Sequence, residues 1–267
     1  MQKTILITGS TDGIGLEAAK MLTSEGHRVL LHGRSAQKLK KAEAALSSLP
    51  TGAPVESYVA DLSSMADVDA LAEAVTEKHA VLDVLINNAG VFATSNSVTT
   101  EGLDVRFVVN TIAPYLLTQR CLPLLGTSGR VINLSSAAQS PVDLEALAGR
   151  VKLSDYEAYA QSKLALTMWS RHLALGLGED GPAVISVNPG SMLGTKMVKE
   201  AFGKDGGDVR IGAGILCRLA LGDEFATTSG QYFDNDSGTF ASPHPDALNP
   251  LKCNDVVRAI DATLAQS

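Results

Sequence analysis

Short apolar runs alternate with helical patterns from the first residues onward. Lys3–Thr8 (KTILIT) is β-rich and stops at Gly9, and Gly15–Ser24 follows with helical spacing and Gly26 where a C-terminal cap belongs. The alternation continues with strands expected at Arg28–His32, Val55–Ala60, Val81–Ile86, Arg130–Leu134 and Ala183–Asn188. Helices are expected at Ala36–Leu46, Met65–Lys78, Leu103–Leu122 and Tyr156–Leu177, with Pro114 bending the third of these. Strands alternating with helices imply parallel pairing, and right-handed crossovers then give an α/β fold with a doubly wound sheet covered on both faces. No repeat or linker divides residues 1–267, so one domain is expected. Thr227–Pro250, rich in Gly, Ser, Asp and Pro, reads as an irregular C-terminal segment around a late strand near Gln231–Phe233.

Composition narrows the partners. The 267 residues carry 22 Lys+Arg against 29 Asp+Glu, a net charge of −7, which argues against nucleic acid and anionic membranes. The N-terminus lacks the apolar run of a signal peptide, and no stretch reaches the length of a membrane helix. Cys121, Cys217 and Cys253 are too widely spaced for a disulfide framework or a zinc cluster. A cytoplasmic protein with no metal is expected. His244, alone in its loop, receives no role.

The chemistry begins at Thr8–Gly15 (TGSTDGIG), between the first strand and first helix. Glycines there allow a tight turn and let backbone N–H groups approach a pyrophosphate at a helix N-terminus. Arg34 follows the second strand, where an acid would repel a 2′-phosphate; NADP(H) is therefore preferred and NAD(H) remains open. Asp12 works against that preference. Tyr159 and Lys163, spaced i, i+4, share one helix face. An ammonium near a phenol favours the phenolate and lowers its pKa. Tyr156 is a rival, but Ala160 occupies the position four residues on.

The Gly-x-x-x-Gly-x-Gly spacing resembles that of the short-chain dehydrogenase/reductase family, single-domain branch. Asp61-Leu62, Asn87-Asn88-Ala89-Gly90 and Pro189-Gly190 follow in the family's order. The resemblance implies a Rossmann-type fold and an oxidoreductase transferring hydride between a nicotinamide and a small carbonyl/alcohol substrate. It implies a cofactor site of Gly9, Ser10, Thr11, Asp12, Gly13, Ile14, Gly15, Arg34, Asp61, Leu62, Asn88, Ala89, Gly90, Tyr159, Lys163, Pro189, Gly190 and Thr195. It also implies a catalytic tetrad: Asn110, Ser136, Tyr159 and Lys163, with Ser136 preferred over Ser135. One more residue than usual separates Pro189-Gly190 from Thr195. Residues of about 191–215, including Met192, Leu193, Met197, Val198 and Phe202, read either as an apolar lid over the substrate or as an ordinary amphipathic helix. The segment 139–157 resembles the insert of retinol-dehydrogenase-like members and reads either as a substrate border or as a surface loop. Relatives pair through two long helices, here Leu103–Leu122 and Tyr156–Leu177, so a homodimer or homotetramer is one expectation, which the insert would oppose. A non-catalytic dinucleotide sensor and, less favoured, a sugar-nucleotide epimerase or dehydratase are the alternatives.

Overall fold

The computed structural model describes residues 1–266, apart from the side chains of Ala201 and Phe202; the expectation for Phe202 lies outside the described residues. The N-terminal half alternates as expected: β1 Thr4–Ile7, α1 Gly13–Ser24, β2 Arg28–Gly33, α2 Ala36–Ser47, β3 Val55–Val59, α3 Met65–Lys78 and β4 Val84–Asn87. The helix expected at Leu103–Leu122 is divided into α4 Val105–Phe107, a π-helical turn Val108–Ile112 and α5 Ala113–Cys121. The remaining elements are β5 Arg130–Leu134, α6 Leu144–Leu147, α7 Asp155–Leu177, β6 Ala183–Asn188, α8 Lys196–Phe202, α9 Val209–Leu221, β7 Tyr232–Asp234, β8 Thr239–Ala241 and α10 Pro250–Leu264. No helix among the described residues is long and apolar enough to cross a membrane.

The strands form one sheet ordered β3-β2-β1-β4-β5-β6-β7-β8, parallel throughout except for the β7–β8 hairpin. The fold is Rossmann-like. Helices cover both faces, so the inner strands are apolar on both sides: Ile5 and Ile7 face one core cluster and Leu6 the other. The strand order reverses between β1 and β4. In such sheets ligands bind beyond the carboxyl ends of the strands at that reversal.

Pro114 explains the interruption before α5. It has no N–H to offer the Asn110 carbonyl one turn earlier, so the α-helical ladder cannot run through this position. The Ala113 N–H bonds instead to the Val108 carbonyl, one residue further back than in an α-helix.

A third core cluster joins Phe107, Ile112 and Tyr115 to Leu147 of α6, Trp169 of α7, and Val256 and Ile260 of α10. Every α7 residue from Ala160 to Ser170 is buried within the chain, as is every residue from Arg106 to Thr118. The segment 139–157 contributes α6 to this cluster, and Asp143 caps that helix through the Glu145 N–H at 2.9 Å. Arg106, buried, pairs with Asp104 at 2.6 Å and with Asp155, tying α4 to the start of α7. The segment 227–250 holds both strands of the β7–β8 hairpin and a 3-10 turn at Pro245–Leu248, where the His244 ring accepts the Asp246 N–H.

Candidate active site

The loop between β1 and α1 is built around two left-handed glycines, Gly9 (φ +64°) and Gly13 (φ +52°). Asp12 caps α1, its carboxylate accepting the Gly13 N–H at 2.8 Å. A Cβ on Gly15 would lie 2.4 Å from Asn88 Nδ2 and 2.6 Å from the Gly9 carbonyl, so only glycine fits. Asn88 Nδ2 donates to the carbonyls of Thr8 (2.8 Å) and Gly9 (3.1 Å), and Thr8 Oγ1 accepts the N–H groups of Asn88 and Ala89, each at 3.0 Å. The β4 loop therefore braces the glycine-rich loop through Asn88 and Ala89. Ser10 is likewise locked, its hydroxyl accepting the His32 N–H at 2.9 Å. Thr11 packs against Gly33, where a Cβ would meet its methyl at 2.7 Å.

At the far end of this cradle, burial alone would raise the Asp61 carboxyl. Hydrogen bonds from Ser63 and the nearby Arg34 guanidinium hold it below the usual range instead. Arg34 is exposed at the end of β2. Leu62 is only 6% exposed and its side chain packs in the second core cluster, which leaves its backbone alone for a ligand.

The cradle runs on to Gly90. A Cβ there would lie 3.3 Å from Asn110 Oδ1 and 3.4 Å from Lys163 Nζ. Asn110 grips the following residue, accepting the Val91 N–H at 2.8 Å and donating to the Val91 carbonyl at 2.9 Å. Its amide also reaches Ser162 Oγ at 3.0 Å. Lys163 Nζ donates to the Leu134 carbonyl at 2.7 Å and stands 5.7 Å from the centre of the Tyr159 ring. Burial lowers the Lys163 ammonium to about 8. Burial also raises the Tyr159 phenol, and the Ser136 hydroxyl beside it acts in the opposite direction. The lowering expected from Lys163 is thus absent in the chain alone, because desolvation of the phenol dominates and weakens the ammonium as well.

The two serines separate clearly. Ser135 is buried, its hydroxyl 2.7 Å from Thr167 Oγ1 and 3.1 Å from the Lys163 carbonyl. Ser136 faces Tyr159, and its Oγ accepts the Ala138 N–H at 3.1 Å. Tyr156 is 57% exposed on the surface.

Beyond β6, Pro189-Gly190 leads to Met192, whose φ of +53° places a non-glycine residue in the left-handed region. That turn lies between Gly190 and Thr195. Thr195 caps α8 through the Val198 N–H at 3.2 Å, and its methyl lies 3.6 Å from a Cβ built on Gly13. Ile14 and Leu193 crowd the same side, both within 3.2 Å of a Cβ placed on Gly212. Met197 reaches over Gly90, its methyl 3.9 Å from a Cβ placed there.

Several contributors are not legible as a motif. The Phe92 ring centre is 5.0 Å from that of Tyr159. His32, 3% exposed, accepts the Gly9 N–H through Nδ1 at 3.1 Å and contacts the Ala60 carbonyl through Nε2 at 3.1 Å. Its place two residues before Arg34 was the one available signal. Among the described residues no cluster of side chains is arranged to hold a metal ion.

A backbone cradle that a Cβ would fill, a helix N-terminus, an acid at one end and a buried lysine at the other suit a nicotinamide dinucleotide. The comparisons agree. The family model for short chain dehydrogenase matches residues 3–206, and the chain belongs to that family of oxidoreductases. An uncharacterized oxidoreductase of Emericella nidulans is 35% identical over 95% of this chain and 94% of its own length. Human retinol dehydrogenase 12 is 31% identical over 90% of this chain and 80% of its own. The Pseudomonas aeruginosa RhlG/NADP active-site complex is 28% identical, covers 88% of this chain and 95% of its own, and superposes with a TM-score of 0.71.

Proposed function

We propose that this chain is an NADP(H)-dependent oxidoreductase acting on a carbonyl/alcohol pair, with Tyr159 as general acid and base. The observation that carries the reading is the Ser136 hydroxyl beside Tyr159, with Lys163 Nζ 5.7 Å from the tyrosine ring and in reach of Gly90. When bound, the nicotinamide supplies the hydride chemistry.

In the reducing direction Ser136 and Tyr159 hold the carbonyl oxygen, and their hydrogen bonds strengthen as negative charge develops on it. Tyr159, kept protonated by burial, donates its proton to that oxygen. Lys163 fixes the ribose end of the site and returns a proton toward Tyr159, with Asn110 linking it to solvent. Alcohol oxidation runs these steps backward. Phe92, against the Tyr159 ring, and Met197, over Gly90, give the reaction end an apolar border, and residues of about 191–215 serve as the lid in this reading.

The preference for NADP(H) rests on Arg34 and on the NADP held by RhlG. The three cysteines, buried and unpaired, support a reducing cytoplasmic setting. Residues 106–118 and 160–170 of the two long helices are buried within the chain, which leaves only their ends exposed for pairing, so we read the chain as acting without the helix-paired dimer.

The test is NADPH consumption with a panel of aldehydes and ketones from small to bulky. Tyr159→Phe should lower kcat by at least about a hundredfold, the usual range for a general acid, while cofactor binding persists. Full activity in the variant overturns the mechanism. Cofactor binding by the parent with no turnover on any carbonyl favours the sensor instead.

A further inference from the structure

The β7–β8 hairpin touches both loops that flank the reaction site, although neither strand carries a residue of the tetrad. From β7, the Tyr232 hydroxyl donates to the Ser136 carbonyl at 3.1 Å. Gln139 donates to that same carbonyl at 2.9 Å. Tyr232 is 7% exposed, and burial together with Asp234 and Asp236 pushes its phenol far up, so it stays a donor at any working pH. On the other side, Asp236 accepts the Ser191 N–H at 2.8 Å and the Ser191 hydroxyl. Asn235 donates to the Pro189 carbonyl at 2.9 Å. Asn188, 2% exposed at the end of β6, donates to Asp234 and Asp236, each at 2.8 Å.

We propose that this hairpin positions the active site: Tyr232 sets the backbone of the catalytic serine, Ser136, and Asp236 sets the Pro189–Ser191 loop against the cofactor. Both are positioning residues, and their catalytic meaning rests on the function proposed above. A serine held from behind keeps its hydroxyl aimed at one point. A displacement of about 1 Å can cost a large factor in rate. The Pro189–Ser191 loop carries no tetrad residue, so its loosening should appear in cofactor affinity and not in the chemical step.

The two substitutions should therefore split in opposite ways. Tyr232→Phe removes one donor and keeps the ring; kcat at saturating NADPH and carbonyl should fall about tenfold, with the Kd for NADPH within about twofold. Asp236→Ala should weaken NADPH binding about fivefold, the scale of one or two lost hydrogen bonds, with kcat at saturating cofactor nearly unchanged. Amide hydrogen exchange on the full chain supplies a readout that needs no turnover. Exchange should quicken at Ala138 in Tyr232→Phe and at Ser191 in Asp236→Ala, and neither change should spread to the other loop. Parental kinetics and exchange in both variants overturn the proposal. So do equal losses of affinity and rate with a lowered Tm, the mark of general loosening. If the parent turns over no carbonyl, the function proposed above falls, while exchange and NADPH affinity still decide whether the hairpin positions these loops.

Discussion

Lys38 Nζ, on α2, lies 3.6 Å from Asp12 Oδ2 in the glycine-rich loop. The acid that opposed a 2′-phosphate therefore has a cation beside it, and Arg34 stands nearby at the end of β2. Both partners are more than half exposed, so the pair contributes little to stability. Its effect is on the field at the mouth of the cradle. Lys38→Glu should weaken NADPH binding about fivefold more than NADH binding, and Asp12→Asn should shift the ratio the other way. Equilibrium titration with both cofactors measures this, and equal changes for the two would refute it.

His32 gives the fold an acid limit. Its ring accepts the Gly9 N–H, and burial lowers its pKa from 6.5 to about 4. Between those values the unfolded chain binds the extra proton, so stability rises with pH across the window and is lost as pH falls through it. The size is about 3 kcal/mol for a shift of this order. His32→Gln should flatten the dependence of unfolding free energy on pH between about 4 and 6.5. An unaltered slope in the variant would assign the acid sensitivity elsewhere.

Lys163 acts at the other end of the pH scale. Burial lowers it from 10.5 to about 8, so the unfolded chain holds the proton between those values and the folded chain does not. The contribution of Lys163 to stability therefore rises with pH from about 8 to about 10.5. Lys163→Met should remove that rise from denaturation curves taken at successive pH values. It should also abolish turnover.

Two glycine substitutions should differ in sign. Gly15→Ala drives a methyl into Asn88 and the Gly9 carbonyl, and should weaken NADPH binding by about tenfold or more as the loop shifts. Gly214→Ala, within α9, meets nothing within 4 Å. It should raise stability by about 0.5–1 kcal/mol through helix propensity. Thermal unfolding and cofactor titration of the two proteins compare them directly.

The sequence was informative where one short segment carries both the structure and the chemistry. The β1–α1 turn, the β4 end, and Tyr159 with Lys163 on one helix face are local, and the structure links them through Asn88 beside Gly9 and Gly15 and through Gly90 beside Lys163. The division of the Leu103–Leu122 helix was half legible: Pro114 signalled a bend, but the π-helical turn before it depends on which carbonyl the Ala113 N–H can reach. Tyr232 and Asp236 gave no signal, because they meet Ser136 and Ser191 only through strand pairing across the sheet edge. The burial that raises the Tyr159 phenol is non-local in the same way. The i, i+4 spacing shows a neighbouring charge but says nothing about desolvation by Phe92 and the surrounding fold.

The third core cluster has a thermodynamic consequence. α10 lies against α7 and adds Val256 and Ile260 to that cluster. The contact is intramolecular, so mass action has no hold on it. Dilution should leave the unfolding midpoint where it is, whereas a helix-paired dimer would lose stability with every tenfold drop in concentration.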